Sequence, residues 1–257
     1  MNEELRQHII EMLNKGIRFD NRKPLEYRQP IKVEYNVSKS AEGSAKVQIG
    51  DSIIIAGVKM SIDPPYPDTP DEGCFMVNAE LLPLSNPDFE LGPPGIEAIE
   101  VSRVIDRGIR ESKAIDMKKL CVEEGEKVWS IIIDVCPINE AGNLFDVSAL
   151  ASLAALRDAK FPKLVDTVID YKTKTEEPIP LIKQPVSVTV CKIGNHFIVD
   201  PTTEEEKVID ARLTVATDEN NQLCALQKGG EFPLIEEEIS AMVDIGIEKC
   251  NELRKSL

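Results

Sequence analysis

The chain has 257 residues, with 45 acidic and 30 basic side chains, a formal net charge of −15, and 42% hydrophobic and 29% charged residues. These values suit a soluble globular chain of one large or two small domains, with a sizeable core that needs no disulfide staples. Such a negative charge argues against nonspecific nucleic-acid binding, so any RNA site must concentrate its positive surface locally.

In chain order, residues 3–15 (EELRQHIIEMLNK) carry a helical apolar stripe that stops at Gly16. The polar segment GIRFDNRKPLEYR follows, in which Arg18, Arg22 and Arg28 read as surface residues, with Arg6 just upstream in the helix. Residues 31–62 read as strands (IKVEYNVS, AKVQIG, SIIIAGVKMSI), with Gly43 and Gly50-Asp51 as turn signals. DPPYPDTPDEG is a proline-stiffened loop, CFMVNAELL a strand and PLSNPDFELGPPG a second proline-rich loop.

Residues 96–115 read as a helix, with Arg103, Arg107 and Arg110 on one face and Ile99, Val104, Ile105, Ile109 and Ile115 on the other. WSIIIDVCPI is a buried strand and FDVSALASLAALRDA a helix of small residues suited to close packing on a sheet. KTKTEEPIPLIKQP reads as an exposed crossing segment. Beyond it, VSVTVCKI and NHFIVD form a hairpin turning at Gly194-Asn195, VIDARLTVATD and NQLCALQKGG pair, and LIEEEISAMVDIGIEKCNELRKSL is an amphipathic helix. Both halves run strands first and helices after. This predicts an α+β fold of two related βαβ-type halves, mixed sheets with packed helices, divided as 1–19 (helix and extension), 20–162 and 163–257.

The sequence has no glycine-rich dinucleotide motif, P-loop or nucleophile elbow. Six cysteines, no two closer than 15 residues in sequence, and two histidines, His8 and His196, predict reduced thiols and no metal site. Two charge clusters remain. Asp200, Glu204, Glu205, Glu206 and Asp210 could hold magnesium or supply a general acid, but on spacing alone they read as a solvated charge run. Residues 103–119 hold six basic and three acidic side chains, a local +3 in an acidic chain. The planar guanidinium fork suits phosphate oxygens, although Asp106 and Glu111 could instead make ordinary surface ion pairs with the stripe.

The stretches GIRFDNR, EGSAKVQIGDSIIIAGVK, PYPDTPDEG, VNAELLPLSNPDFELGPPG, SRVIDRGIRESKAID and VDPTTEEEKVIDA resemble the RNase PH family, over about residues 16 to 250 and its loops as well as its strands. They look most like its non-catalytic branch in the archaeal exosome ring. The resemblance implies the RNase PH-like fold and a cytoplasmic ring of three heterodimers, each pairing this subunit with a catalytic RNase PH-like sibling. S1- and KH-type RNA-binding proteins would form its cap, and no membrane would be involved. Such a ring degrades single-stranded RNA from the 3′ end, with phosphate as attacking group and nucleoside diphosphates as products. Phosphate, and Mg²⁺ where it is used, belong to the assembled complex, with no cofactor of this chain's own.

Active members carry a Gly-Gly-Thr-Arg-type turn after the central strand. Here the matching stretch is NEAGNLFD, with Leu144 at the arginine position and no basic residue in 139–148. Active members also carry two aspartates six residues apart, where this chain has Asp200 and Glu206. The family's RNA-facing helix arginines match Arg103, Arg107 and Arg110. The resemblance therefore implies a lost active site and a retained RNA-backbone contact. An active phosphorolytic exoribonuclease and a purely structural scaffold remain the alternatives.

Overall fold

The computed structural model describes residues 3–165 and 168–257, so residues 1, 2, 166 and 167 of the expected segments lie outside the described residues. Helix α1 (Glu3–Asn14) forms as its apolar stripe predicts. It buries Ile9 and Leu13 far along the chain, against Cys191, Ile193, Ile198 and Val208. The N-terminus therefore clamps the second half, a pairing that no local pattern encodes.

The first sheet is built from β1 (Ile31–Tyr35), β2 (Gly43–Ile49), β3 (Ser52–Asp63), β4 (Cys74–Ala79), β5 (Cys121–Glu123) and β6 (Lys127–Asn139). Its order is β1-β2-β3-β6-β4, with β5 on β6. Strand β3 alternates along its length, burying Ile54, Ala56, Val58 and Met60 on one face. Gly43 is not a turn residue but the first residue of β2. A Cβ there would lie 2.4 Å from the carbonyl oxygen of Ala155, so glycine is required by close packing rather than by a turn. Gly50-Asp51 does form the β2–β3 turn.

Strands β4 and β6 are parallel neighbours, joined through α2 (Ile96–Glu111) as a crossover. Helix α2 buries Val101, Val104, Ile105 and Ile109, at i, i+3, i+4 spacing. Ile99 departs from expectation and is 48% exposed, because it lies about 120° around the helix from Ile105. Ile115 lies past the helix end, in a bridge to Leu181.

Helix α3 (Leu144–Asp158) is the centre of the molecule. Twelve of its 15 residues are buried, because it packs on β2 and β3 on one side and on β9 (Val186–Ile193) of the second sheet on the other. Its alanines and serines permit close approach to both layers. The segment expected as an exposed crossing is in part strand: β7 (Lys160–Val165) and β8 (Val168–Pro178) form a two-stranded antiparallel hairpin. The second sheet adds β10 (His196–Val199), β11 (Ala211–Thr217) and β12 (Leu223–Gly229), in the order β10-β9-β11-β12. Strands β10 and β11 both run antiparallel to β9, with the short α4 (Thr203–Glu206) between them in sequence. Helix α5 (Glu236–Arg254) covers β9 and β11, burying Met242, Cys250 and Leu253. The fold is α+β, two strand-and-helix halves sharing α3, and all six cysteines are free.

Asp146 joins the halves inside the core. It is fully buried and accepts from Thr189 N at 2.7 Å and from the Tyr27 hydroxyl at 3.1 Å. Burial pushes its carboxyl up to about 7, with the Asp200 charge adding and the Thr189 and Tyr27 donors opposing. The folded value lies above the unfolded value of 3.8. Stability from this group is therefore full below the unfolded value and lost as pH rises towards the folded one. Asp146→Asn should flatten the stability–pH curve over that window and exceed the parent at pH 8 by about 1.4 kcal/mol or more. Urea melts across pH would show it, and an unchanged slope would reject it.

Candidate functional site: a locked acidic run and an exposed arginine face

The acidic run is solvated only in part: Glu204 and Glu206 are exposed, as a charge run predicts, but the other three are not. Asp200, Glu205 and Asp210 are buried, at 0%, 1% and 4% exposure, each opposite an arginine from the N-terminal segment. Arg18, expected at the surface, is 1% exposed. It forks onto the Glu205 carboxylate and donates to the carbonyl oxygens of Val199 (2.7 Å) and Asp200 (2.8 Å). Arg6 pairs with Asp210 at 3.0 Å. Burying this many charges is tolerated only because each is paired and hydrogen-bonded.

Asp200 is the most heavily engaged. Its Oδ1 accepts from Arg28 Nη2 at 2.8 Å and Asn143 Nδ2 at 2.8 Å. Its Oδ2 accepts from Arg22 Nη1 at 3.0 Å and from Arg28 N and Nε at 2.7 and 3.0 Å. A carboxylate has about four lone-pair sites, and here five donors fill them. No direction is left for a metal ion or a reacting proton. Asp200 also sits at φ +51°, tolerable for aspartate and fixed by these bonds.

The turn of residues 139–146 packs directly on this run. Gly142, at φ +94°, lies so close to residue 201 that a Cβ would meet the Pro201 carbonyl oxygen at 2.3 Å. Arg28 donates to the Ala141 and Gly142 carbonyl oxygens, binding the turn to Asp200. Leu144 opens α3 and is 4% exposed, so the position matched to an arginine is an apolar core contact. Asn143 Oδ1 is buried with no hydrogen-bond partner among the described residues.

Beside the turn lies a cleft of about 380 Å³, whose charged lining is Glu97, Glu100, Glu206 and Arg212. Arg212 is spent, donating to Glu100 at 2.6 Å and resting 4.9 Å from the Phe145 ring centroid. Glu206 accepts from Asn143 N at 2.9 Å. Its carboxyl is pushed up to about 7 by desolvation in the cleft and by Glu140 and Glu97, against Asn143 N–H and Arg28. The residue surface is exposed to solvent, so crowding by Glu140 and Glu97 rather than full burial sustains the rise. Glu97 is likewise raised by desolvation and by its carboxylate neighbours Glu140 and Glu100. Such a cleft offers phosphate no free cation, because its one guanidinium is already paired with Glu100.

The helix face is the opposite case. Arg103, Arg107 and Arg110 are exposed along α2, as the 3.6-residue period predicts. Arg107 Nη1 donates to Gln227 Oε1 at 2.7 Å. Arg110 forks onto Asp106 and donates to the Phe75 carbonyl oxygen at 2.8 Å. Arg103 has no partner among the described residues. The ion-pair reading of the stripe therefore holds for Arg110 with Asp106 but not for Arg103.

Sequence reasoning missed Arg18, Arg22 and Arg28 as partners of the acidic run, and Glu97, Glu100 and Arg212 as lining the cleft. The arginines of GIRFDNRKPLEYR were visible, but their partners lie more than 170 residues away in sequence. His8 packs on Phe19 and His196 bonds Asn14, so neither histidine joins the site.

The fold and site define a class: a two-part α+β chain with two strand-and-helix halves, an exposed arginine face on α2 and a carboxylate-lined cleft beside it. Residues 27–162 match the family model described as "3' exoribonuclease family, domain 1", and residues 183–249 match domain 2 of that family. The chain is 43% identical over 256 residues to "Exosome complex component Rrp42" of Methanopyrus kandleri, covering 98% of this chain and 95% of that one. A protein of the same name from Archaeoglobus fulgidus is 44% identical over 251 residues, covering 97% and 94%. Among solved structures, "archaeoglobus fulgidus exosome with RNA bound to the active site" superposes with a TM-score of 0.90 at 43% identity, covering 98% of this chain and 97% of that one. "Archaeal exosome core" gives 0.86 at 40% identity, covering 98% and 96%. The chain belongs to the 3′ exoribonuclease family of RNase PH domains. Among the described residues no helix is long and apolar enough to cross a membrane.

Proposed function

We propose that the chain is a non-catalytic subunit of an archaeal-type exosome, a phosphorolytic 3′→5′ RNA-degrading complex. In it, Arg103, Arg107 and Arg110 hold the RNA backbone and help shape the active site of a catalytic RNase PH-like sibling. The observation that carries the reading is the acceptor-lined cleft beside a saturated Asp200. Phosphorolysis needs fixed positive donors around its attacking phosphate, and this cleft offers carboxylates. The cleft offers phosphate no free cation, and phosphate, with Mg²⁺ where it is used, is placed with the assembled complex. The relatives named as exosome components, and the solved exosome with RNA at its active site, support the placement. The arrangement of three heterodimers, the S1- and KH-type cap, the cytoplasmic setting and the division at 19/20 and 162/163 are part of the same proposal.

The test is phosphorolysis itself. The purified chain, given labelled oligo(A), inorganic phosphate and Mg²⁺, should release no nucleoside diphosphate. Mixed with its sibling, it should accelerate release above that of the sibling alone. Release by the chain alone would overturn the reading.

A further inference from the structure

Where α2 ends, the chain forms a cavity of about 480 Å³, a size typical of small-molecule sites. Its apolar wall includes Phe75, Ile109 and Ile115, and Arg110 of the helix stripe lines it too. Tyr66 stands at this cavity, 58% exposed, on the loop stiffened by Pro64, Pro65 and Pro67. A ring presented on a stiff loop loses little entropy when something stacks on it. Arg110 is fixed by Asp106 and the Phe75 carbonyl and lies 5.5 Å from the Phe75 ring centroid.

Two lysines complete the lining. Lys118 pairs with Asp71 at 3.1 Å. Lys113 is exposed and its ammonium has no partner among the described residues. It sits at φ +53°, directly after the last turn of α2, where its N–H closes on the Arg110 carbonyl at 3.0 Å. That position favours glycine, and a side chain there is strained by about 1 kcal/mol. Nothing in the packing uses the Lys113 side chain, so its charge is what distinguishes it from glycine. Glu72 and Asp116 also line the cavity, and with Arg110 paired to Asp106 and Lys118 to Asp71, Lys113 is its one unpaired cation among the described residues.

We propose that this cavity takes one nucleotide of single-stranded RNA, the base stacked on Tyr66 and a phosphate on Lys113, continuing the backbone path of Arg103, Arg107 and Arg110. The inference rests on the RNA-contacting reading above and names a subsite for it. An aromatic face with flanking cations is the chemistry that holds single strands without reading sequence.

Fluorescence anisotropy of the complex assembled from the full chain and its catalytic sibling, with a 5′-fluorescein-labelled 12-mer oligo(A) and no phosphate, tests it. Tyr66→Ala should bind about tenfold more weakly and Tyr66→Phe close to the parent, since stacking and not the hydroxyl is required. Lys113→Gly should melt no lower than the parent yet lower the slope of log K against log salt by about 0.7. Arg103→Glu with Arg107→Glu runs alongside. If that pair weakens binding while Tyr66→Ala and Lys113→Gly do not, the cavity is rejected and the helix reading stands. If only the cavity variants matter, the helix assignment falls and the cavity holds. If none matters, both are rejected.

Discussion

Replacing Arg103 and Arg107 together by glutamate is expected to weaken RNA binding by the assembled complex about 100-fold or more, the scale of two lost charge-assisted hydrogen bonds. Both guanidinium groups are exposed on the same face of α2, and neither forms an ion pair among the described residues. Their removal should leave the fold intact, because the buried face of the helix is Val101, Val104, Ile105 and Ile109. The diagnostic is salt. Each phosphate contact on a single strand contributes about 0.7 to the slope of log K against log salt, so losing two should flatten it by about 1.4. Binding titrations between low and moderate salt would measure this. Parent-like affinity and slope would sink the RNA-facing assignment and favour a purely structural scaffold.

The second large effect concerns stability. Arg18→Met should cost about 3–5 kcal/mol, because it strands the buried Glu205 carboxylate and two carbonyl oxygens that Arg18 now satisfies. The fork is placed where the N-terminal segment meets the Asp200 run. Loss should therefore loosen α1 and the 139–146 turn before the first sheet. Adding Glu205→Leu should recover part of the loss, since removing both charges avoids the unpaired one. Denaturant melts of the single and double variants would decide. A single variant as stable as the parent would show that water or another cation replaces Arg18.

The same pair of residues shows where reading a linear chain stops. The run DPTTEEEKVIDAR reads as solvated because its neighbours in sequence are polar. Its Asp200, Glu205 and Asp210 are buried because four arginines from residues 6–28 fold over them, while Glu204 and Glu206 stay exposed. Charge pairing across such separations leaves no periodic trace. The cleft was illegible for the same reason: Glu97 and Glu100 come from α2, Glu206 from α4 and Arg212 from β11, and only packing around α3 brings them together. Leu144 was legible as a missing arginine, yet its burial depended on α3 being covered from both sides.

What local chemistry controls could be read directly from the residues. Period-2 alternation marked β3, period-3.6 spacing marked α2 and put its three arginines on one face, and proline clusters marked the two stiff loops. The absence of any cation in 139–148 was likewise visible from composition. What depends on contacts between distant segments was settled only by the tertiary structure: α1 docking on the second sheet, the five donors that close Asp200, and the carboxylates that line the cleft. The physical reason is range. Backbone geometry and side-chain alternation are set within a few residues, whereas desolvation and ion pairing are set by whatever the folded chain brings within a few ångströms.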